Sequence, residues 1–306
     1  MKKVTEFFRK NPALGGLIGL YILLGILSGR FLSLSNQINI LRQVSIQAIM
    51  AFGMTVVIIS GGIDLSVGSV FAFSAVVGAS ILKQGEVAFG ILAALGIGAI
   101  FGSINGVLVT KGKMQPFIAT LATMAIARSF TLVYTNGMPI TGFPRSFGYI
   151  GRGKILGVPV PIIIMLIVML IMWYLMKMTK LGLYAYSIGG NEEATRLSGV
   201  KVNIYKIIFY TISGILSAVS AIILMARLNS AQPIFGVGYE LDAIAAVVLG
   251  GASLSGGTGG IIGTFFGALL MGVINNGLNL LNVSPFYQQA VKGVVILLAV
   301  LLEKKD

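Results

Sequence analysis

The residues of this sequence that could carry chemistry are few, and three of them are acids set beside apolar segments. Asp64 lies between two apolar runs, and Glu240 and Asp242 stand at the start of another. A carboxylate at membrane depth is costly and commonly functional, so Asp64 is a candidate residue of a transport pathway. The alternative, which the sequence favours, is that Asp64 caps a helix beginning near Leu65 at the membrane surface. Glu240 and Asp242 pose the same choice.

Catalytic chemistry has little support in the sequence. The chain contains no His and no Cys, which removes the commonest general base, the thiolate nucleophile and the usual nitrogen and sulfur metal ligands. Residues 251–258 resemble a phosphate-binding P-loop up to its seventh position, where the loop needs Lys and this chain has Gly257. We therefore expect no catalytic residues, no metal site, no cofactor and no nucleotide bound by this chain.

Side-chain amides offer a different chemistry. Asn275 and Asn279 are spaced to share one face of a helix, with Asn276 between them. Amides suit a neutral polyol better than an ion, so Asn275 and Asn279 join Asp64 as pathway candidates. Further amides near apolar segments are Gln43, Gln47, Asn105 and Gln115. The alternative, favoured residue by residue, is that these amides form hydrogen bonds between helices.

Residues 177–206 form a long polar interruption with a well-marked short helix. Its predicted residues are Asn191, Glu192, Glu193, Ala194, Thr195, Arg196 and Leu197. The Asn side chain can cap the first turn, the two acids suit the positive end of the helix dipole, and Gly199 can close the helix in a left-handed conformation. So short a helix needs support from its own protein or from a partner. It is either an interfacial connector or a helix presented to a soluble motor subunit.

Composition identifies the elements that must hold these residues. Hydrophobic residues make up 56% of the 306 residues and charged residues only 10%, against about 25% charged in soluble domains, so the chain is an integral membrane protein. Apolar runs predict an all-α polytopic transmembrane helical bundle of about ten spans in one domain, residues 1–306. The predicted spans are 13–32, 44–61, 66–82, 87–110, 115–134, 158–176, 204–226, 239–251, 257–280 and 287–302. The eighth is short enough to be broken or re-entrant, and the loop 135–158 is expected to carry a short surface helix.

Basic residues predict the orientation. Of the 22 Lys and Arg residues, 13 fall in segments on the side of both termini, 7 fall on the other side, and Arg128 and Lys292 fall within spans. Because basic residues concentrate in cytoplasmic loops, both termini and the segment 177–206 are expected in the cytoplasm, with residues 1–10 as a cytoplasmic tail. The net charge of +13 is assigned to this bias rather than to nucleic-acid binding.

Glycine patterns suggest a repeat and close helix packing. The pattern Gly-Gly-x-x-Leu-Ser-x-Gly-[Ser/Thr] occurs at 61–69 and again at 250–258, an offset of 189 residues. Transporters are often built from such repeats, with helix breaks at matching positions. Glycines spaced by four at 98, 102 and 106 and at 263 and 267 allow close helix approach, either within one subunit, which is favoured, or between subunits.

Several motifs together resemble one family. They are residues 61–69 (GGIDLSVGS), 114–121 (MQPFIATL), 133–137 (VYTNG), 189–199 (GGNEEATRLSG), 231–233 (AQP), 238–251 (GYELDAIAAVVLGG) and 275–281 (NNGLNLL). In these segments the chain resembles the ribose-type monosaccharide permease subunits of bacterial ABC importers. The resemblance extends over residues 36–302.

The resemblance implies a division of labour in a bacterial inner membrane. Two copies of the permease would form the pathway as a homodimer, separate ATP-binding subunits would dock on the cytoplasmic side, and an extracytoplasmic binding protein would deliver the sugar, with ribose as the leading substrate. Residues 191–197 would be the coupling helix, and Glu192, Glu193 and Arg196 would offer charge pairs to a cleft in the ATPase. The alternatives are a secondary transporter driven by protons or sodium, which would need functional acids such as Asp64, and a passive channel or scaffold.

Overall fold

Helices dominate the structure, a computed structural model that describes residues 13–302. The described residues form thirteen helices and four two-residue strands. The helices are α1 (Ala13–Leu27), α2 (Leu34–Ile59), α3 (Val67–Leu82), α4 (Val87–Thr110), α5 (Pro116–Thr135), α6 (Arg145–Arg152), α7 (Val160–Met178), α8 (Lys180–Gly190), α9 (Glu192–Leu197), α10 (Val202–Leu228), α11 (Tyr239–Leu249), α12 (Ile261–Leu280) and α13 (Pro285–Leu302). The strands are β1 (Ile140–Thr141), β2 (Lys154–Ile155), β3 (Val158–Pro159) and β4 (Ser230–Ala231). The predicted all-α polytopic bundle is confirmed. The predicted tail 1–10 lies outside the described residues.

Six of the described helices, α2, α4, α5, α7, α10 and α12, are long and apolar enough to cross a membrane. The apolar helices α1 and α3 are shorter. Helix α11 has 11 residues, which gives a length of about 16 Å against a hydrocarbon core of about 30 Å. The eighth predicted span is therefore a short element, as its length in the sequence indicated.

Helix α2 forms the centre of the bundle. Its last sixteen residues are buried with few interruptions, and α10, α12, α7 and α11 pack around it. It begins ten residues before its predicted start at residue 44, because its first turns are polar and a hydropathy window misses them. Those turns are held by side chains instead, since Ser33 caps the helix and the amides of Asn36 and Gln37 donate to the Phe31 carbonyl at 2.9 and 2.7 Å.

The predicted glycine ridges pack within the chain. A Cβ at Gly98 or Gly102 would overlap the backbone carbonyls of Gly214 and Tyr210 on α10. Gly263 and Gly267 approach the backbone of α11 in the same way. Both ridges therefore join helices of one subunit, as favoured from the sequence.

Helices α3 and α11 both begin at mid-height in the bundle. The Ser217 hydroxyl, near the middle of α10, donates to the Val67 carbonyl at the start of α3 (2.6 Å). The Gln47 amide, near the middle of α2, donates to Asp242 in the first turn of α11 (3.2 Å). The two starts face each other, since a Cβ at Gly68 would overlap the Gly236 carbonyl just before α11. The bundle therefore contains two interrupted elements whose N-termini meet inside it.

Two turns connect these interrupted elements to long helices. The first turn, residues 60–66, joins α2 to α3, and the second turn, residues 250–260, joins α11 to α12. The segment of residues 179–201, which joins α7 to α10, is here named the connector. Both turns lie against it, since Gly189 of the connector contacts Gly61 in the first turn and Gly256 in the second. The end of the bundle that holds all three is named the connector end.

The opposite end is closed by short strands and one helix. Strand β1 pairs antiparallel with β4, which ties the loop after α5 to the end of α10. Strands β2 and β3 form a hairpin, with Leu156 and Gly157 in left-handed conformation at its tip. Helix α6 is the short surface helix predicted for the loop 135–158, and its Gly151 sits against the backbone of Arg227.

Candidate functional site

The connector carries the short helix that the sequence predicted. Asn191 caps α9 by accepting a hydrogen bond from the Ala194 N–H at 2.9 Å. Gly199 closes the helix with a φ of +84°, and the Val200 N–H returns to the Thr195 carbonyl. Helix α9 thus has the start and the end that its sequence specifies.

Glu192 fastens α9 to the membrane bundle. Its carboxylate accepts from Arg196 within the helix at 2.8 Å and from Lys206 of α10 at 2.5 Å. Burial acts to raise the pKa of Glu192, but the hydrogen bonds and positive charges of Lys206 and Arg196 outweigh it, so the pKa lies below its ordinary value. The carboxylate is therefore held ionised, in a bridge between the connector and α10.

The exposed face of α9 consists of other residues. The Glu193 side chain is 72% exposed and Leu197 is 80% exposed. Beside this face, α8 and α9 enclose a groove of about 410 Å³ that includes Leu183, Ser187 and Ala194. The sequence assigned Glu192 and Glu193 the same outward role. The structure separates them, because Glu192 is engaged inside the chain and Glu193 faces outward.

Asp64 is the most deeply buried of the described acids, with 1% of its surface exposed. Its Oδ1 accepts from the Ser66 N–H at 3.0 Å, from the Ser66 hydroxyl at 2.6 Å and from the Asn105 amide at 3.3 Å. Its Oδ2 accepts from the Ser213 hydroxyl at 3.0 Å. The Asn105 oxygen in turn accepts from Thr123 at 2.6 Å. Asp64 therefore joins the first turn to α4, α5 and α10.

Asp64 makes the side-chain hydrogen bond of a cap, since it accepts from the Ser66 N–H in the turn that leads into α3, but it differs from the expected cap at the membrane surface in two respects. The residue at the N-cap position of α3 is Ser66, and Asp64 lies two residues before it. Asp64 is also enclosed by protein rather than placed at a surface. Among the described residues no Lys or Arg forms an ion pair with Asp64. Neutral donors alone satisfy this carboxyl group, which costs less than leaving it bare.

Arg128 of α5 reaches the place where α3 and α11 begin. Its guanidinium donates to the carbonyls of Pro233 and Phe235 at 2.8 Å each, in the segment before α11. The Glu240 carboxylate accepts from the Gly238 N–H at 3.2 Å and lies in the field of Arg128. Opposite charges therefore stand at the meeting point of the two interrupted helices.

Asp242 forms a second charge pair near the start of α11. The side chain is 3% exposed, and its Oδ2 accepts from Lys292 of α13 at 2.9 Å and from Gln47 of α2. Lys292 was found in the sequence only as a basic residue inside a span. An acid and a single Lys fifty residues later form no sequence pattern, so the pairing of Asp242 with Lys292 could not be predicted.

The amides divide between helix packing and a free group. Asn276 and Asn36 exchange two hydrogen bonds of 2.9 Å between α12 and α2, and Asn279 accepts from Gln288 at 2.9 Å. Asn275 differs, since its Oδ1 is buried and accepts no hydrogen bond within the described residues. The structure does not bring Asp64, Asn275 and Asn279 into one cluster of hydrogen bonds.

Within residues 13–302, no three His, Cys, Asp or Glu side chains lie close enough together to hold a metal ion. A cavity of about 800 Å³ lies at the connector end, between Trp173, Lys177 and Tyr186 on one side and the start of α12 on the other.

This chain resembles known proteins that are described as permeases. A family model described as the permease component of the branched-chain amino acid transport system matches residues 36–300. The ribose import permease protein of Escherichia coli strain K12 is 54% identical over 297 residues, covering 94% of this chain and 92% of the relative. The ribose import permease protein of Bacillus subtilis strain 168 is 54% identical over 310 residues, covering 99% and 96%. The D-allose transport system permease protein of Escherichia coli K12 is 38% identical and covers 90% of this chain and 85% of its own length.

A search of the solved structures found no match. The family model and the relatives nevertheless extend over the connector, both turns and both interrupted helices. This chain belongs to the family of permease components of membrane transport systems.

Proposed function

We propose that this chain is the membrane-spanning permease subunit of an ATP-driven importer that carries ribose across the cytoplasmic membrane of a bacterium. The observation that carries the proposal is the 54% identity to ribose import permease proteins over nearly the whole chain. The family description names branched-chain amino acids, whereas the relatives at 54% and 38% identity are named for sugars. The more similar relatives favour a sugar, and ribose among the sugars.

We propose that the single domain 1–306 crosses the membrane about ten times, with both termini and the connector in the cytoplasm. Ten apolar segments of the sequence coincide with helices, and the basic residues concentrate on the side of the connector. The interrupted helices α3 and α11 are short because they begin inside the bundle. This arrangement resembles transporters whose broken helices meet near the pathway.

ATP hydrolysis belongs to separate subunits that dock on the connector. The sequence has no P-loop Lys, and α9 presents Glu193 and Leu197 outward beside a groove. Residues 191–197 act as the coupling helix, held to the bundle by Glu192 and Lys206. An exposed leucine with a charged residue beside it fits the apolar centre and polar rim of a protein interface.

The remaining partners are a second copy of this chain and an extracytoplasmic sugar-binding protein, with lipid around the bundle. The candidates for the pathway remain Asp64, Asn275 and Asn279, which differ in how fully their polar atoms are already hydrogen-bonded. Asp64 is enclosed by its hydrogen bonds, and Asn279 is engaged by Gln288. Asn275 has an unused acceptor, which a sugar hydroxyl would satisfy.

Uptake by sealed vesicles tests the function. The vesicles hold this chain, its ATP-binding subunit and its sugar-binding protein, and labelled ribose is compared with labelled leucine. We expect ribose uptake that requires ATP and survives collapse of the ion gradients, with no leucine uptake. Uptake that follows a gradient and ignores ATP would overturn the importer, and uptake of leucine alone would overturn the sugar.

A charge reversal tests the docking of the ATP-binding subunit. Glu193→Lys changes an exposed residue of α9, and Glu86→Lys makes the same change at an exposed acid at the opposite end of the bundle. We expect Glu193→Lys to reduce co-purification of the ATP-binding subunit about tenfold, which corresponds to about 1.4 kcal/mol. The Glu86→Lys variant should behave as the wild type. Equal co-purification by the two variants would remove α9 from the docking surface.

A further inference from the structure

Gly189, at the end of α8, is the point where the connector meets the bundle without any side chain between them. A Cβ at position 189 would overlap the Ile59 carbonyl and would lie 2.5 Å from the Gly257 nitrogen. Ile59 is the last residue of α2, and Gly257 lies in the second turn. The connector therefore touches, at one residue, the backbone of the second turn and the end of α2 from which the first turn begins.

The two turns are also tied to each other at this place. The Gly257 N–H donates to the Ile59 carbonyl at 2.8 Å, so a carbonyl left free by the end of α2 is satisfied by the second turn. A Cβ at Gly256 would lie 3.0 Å from the Cα atoms of both Gly61 and Gly189. The backbones of three segments thus meet within van der Waals contact.

Such a contact passes on displacement with little loss. Flexible side chains absorb a shift by changing rotamer, whereas close-packed backbone atoms cannot be compressed. Gly189 is joined through Gly190 and Asn191 to α9, which Glu192 fastens to α10. A movement of α9 is therefore passed along two residues of chain to Gly189.

Each turn leads to an interrupted helix at mid-height. The first turn contains Asp64 and continues into α3, and the second turn follows α11, whose first turn carries Asp242. A displacement delivered to Ile59 and Gly257 reaches both interrupted helices together. It reaches α3 at its N-terminus, close to the point where the two starts meet, and α11 at its C-terminus.

We propose that Gly189 is a positioning residue for transport, which passes movement of the connector to both turns and so to α3 and α11. The proposal rests on the proposed function, in which an ATP-binding subunit moves α9. A second tie supports the same route, since the Tyr186 hydroxyl of α8 donates to the Gly259 carbonyl of the second turn at 2.9 Å.

The neighbouring glycine supplies a matched control. A Cβ at Gly190 would meet no atom within 4 Å, so Gly190→Ala makes the same chemical change one residue away from the contact. Gly189→Ala instead forces the connector away from Ile59 and Gly257. The measured quantity is the number of ribose molecules taken up per ATP hydrolysed in the complete vesicle system.

We expect Gly189→Ala to keep its bound ATP-binding subunit and its ATP hydrolysis while the ratio of ribose to ATP falls about tenfold, a usual size for coupling between two sites. Gly190→Ala should keep the wild-type ratio. An unchanged ratio in Gly189→Ala would overturn the proposal. Absence of ATP-dependent uptake by the wild type would instead overturn the proposed function, so the two failures are distinguishable.

If Gly189→Ala does not fold, a milder pair of variants tests the same route from the connector to the second turn. Tyr186→Phe removes only the hydroxyl that donates to Gly259, and Tyr184→Phe removes a hydroxyl that forms no hydrogen bond with any residue between 13 and 302. We expect the ratio of ribose to ATP to fall about fivefold in Tyr186→Phe, at the lower end of coupling effects, and to stay unchanged in Tyr184→Phe. Equal ratios in the two variants would overturn the proposal.

Discussion

The first and second turns have the same local backbone in different surroundings. Both follow a helix that ends in a left-handed glycine, Gly61 with a φ of +76° and Gly251 with a φ of +88°. Both helix ends also use the same pair of closing hydrogen bonds, from Gly61 and Gly62 in the first turn and from Gly251 and Ala252 in the second. The two helix ends therefore correspond at an offset of 190 residues (251 − 61).

The next step of the turn is also shared. The Ser66 N–H donates to the Asp64 carboxylate at 3.0 Å, and the Ser255 N–H donates to the Ser253 hydroxyl at 3.1 Å. These pairs correspond at an offset of 189 residues (255 − 66), as in the sequence pattern. Between these two sets of hydrogen bonds the first turn thus has one extra residue, Ile63, whose carbonyl accepts from the Tyr210 hydroxyl at 3.2 Å.

The surroundings separate the two turns. Asp64 is 1% exposed and has donors from α4 and α10, whereas Ser253 is half-buried and Ser255 is exposed. The repeated motif thus specifies a backbone shape, and the helices packed around each turn decide which side-chain chemistry it can hold. Only the first turn places an acid where other helices can hold it.

Exchanging the side chains of Asp64 and Ser253 should have the largest effect on stability. Asp64→Ser leaves the Asn105 amide and the Ser213 hydroxyl without their acceptor, and we expect a loss of about 3 kcal/mol of stability. Ser253→Asp places the acid in the more open turn, where we expect a change within about 0.5 kcal/mol. The measurement is the midpoint of unfolding of each variant in detergent. Equal losses would mean that the surroundings of the two turns do not differ in effect.

The shared backbone should respond alike in both turns. Gly61→Ala and Gly251→Ala each place a Cβ on a left-handed residue, and we expect each to cost about 1 kcal/mol. Gly19→Ala is the control, because it lies within α1 and its Cβ would meet no atom within 4 Å. It should not lower the unfolding midpoint. A loss confined to one turn would show that packing, rather than backbone conformation, sets the cost.

Much of the fold follows from patterns within short stretches of sequence. Apolar runs locate the helices, glycine spacing identifies the ridges of α4 and α12, and the residues from Asn191 to Gly199 specify α9 with both its ends. Each of these signals is local, since it depends on residues within a few turns of one another. The start of α2 was missed because Asn36 and Gln37 are helical without being apolar.

The tertiary partners of polar residues could not be predicted in the same way. Asp242 pairs with Lys292 and Asn276 with Asn36, across sequence separations of 50 and 240 residues. Each of these four residues, taken alone, is compatible with a surface position, a place in a pathway or a contact between helices. The surroundings of Asp64 were likewise misjudged, because its local sequence matches a helix cap and its burial depends on α4, α5 and α10.

The smallest expected effect concerns Glu192, an acid that has cationic partners where Asp64 has neutral ones. Its pKa is lowered from the ordinary value of 4.5, so its contribution to stability is present above pH 4.5 and is lost as the pH falls through the lower folded value. The side chain is 39% exposed, and solvent screening limits the contribution to about 0.5 kcal/mol.

Hydrogen exchange of the α9 amides measures this contribution, with Glu192→Gln compared with the wild type at the same pH. At pH 7 we expect exchange about twofold faster in Glu192→Gln, because the bridge from α9 to Lys206 has lost its charge. The two rates should converge as the pH falls below the folded pKa of Glu192. Glu193→Gln, whose partner Arg196 is 3.7 Å away, should show a smaller difference. A twofold difference that persists at low pH would mean that Glu192 holds α9 by its shape and not by its charge.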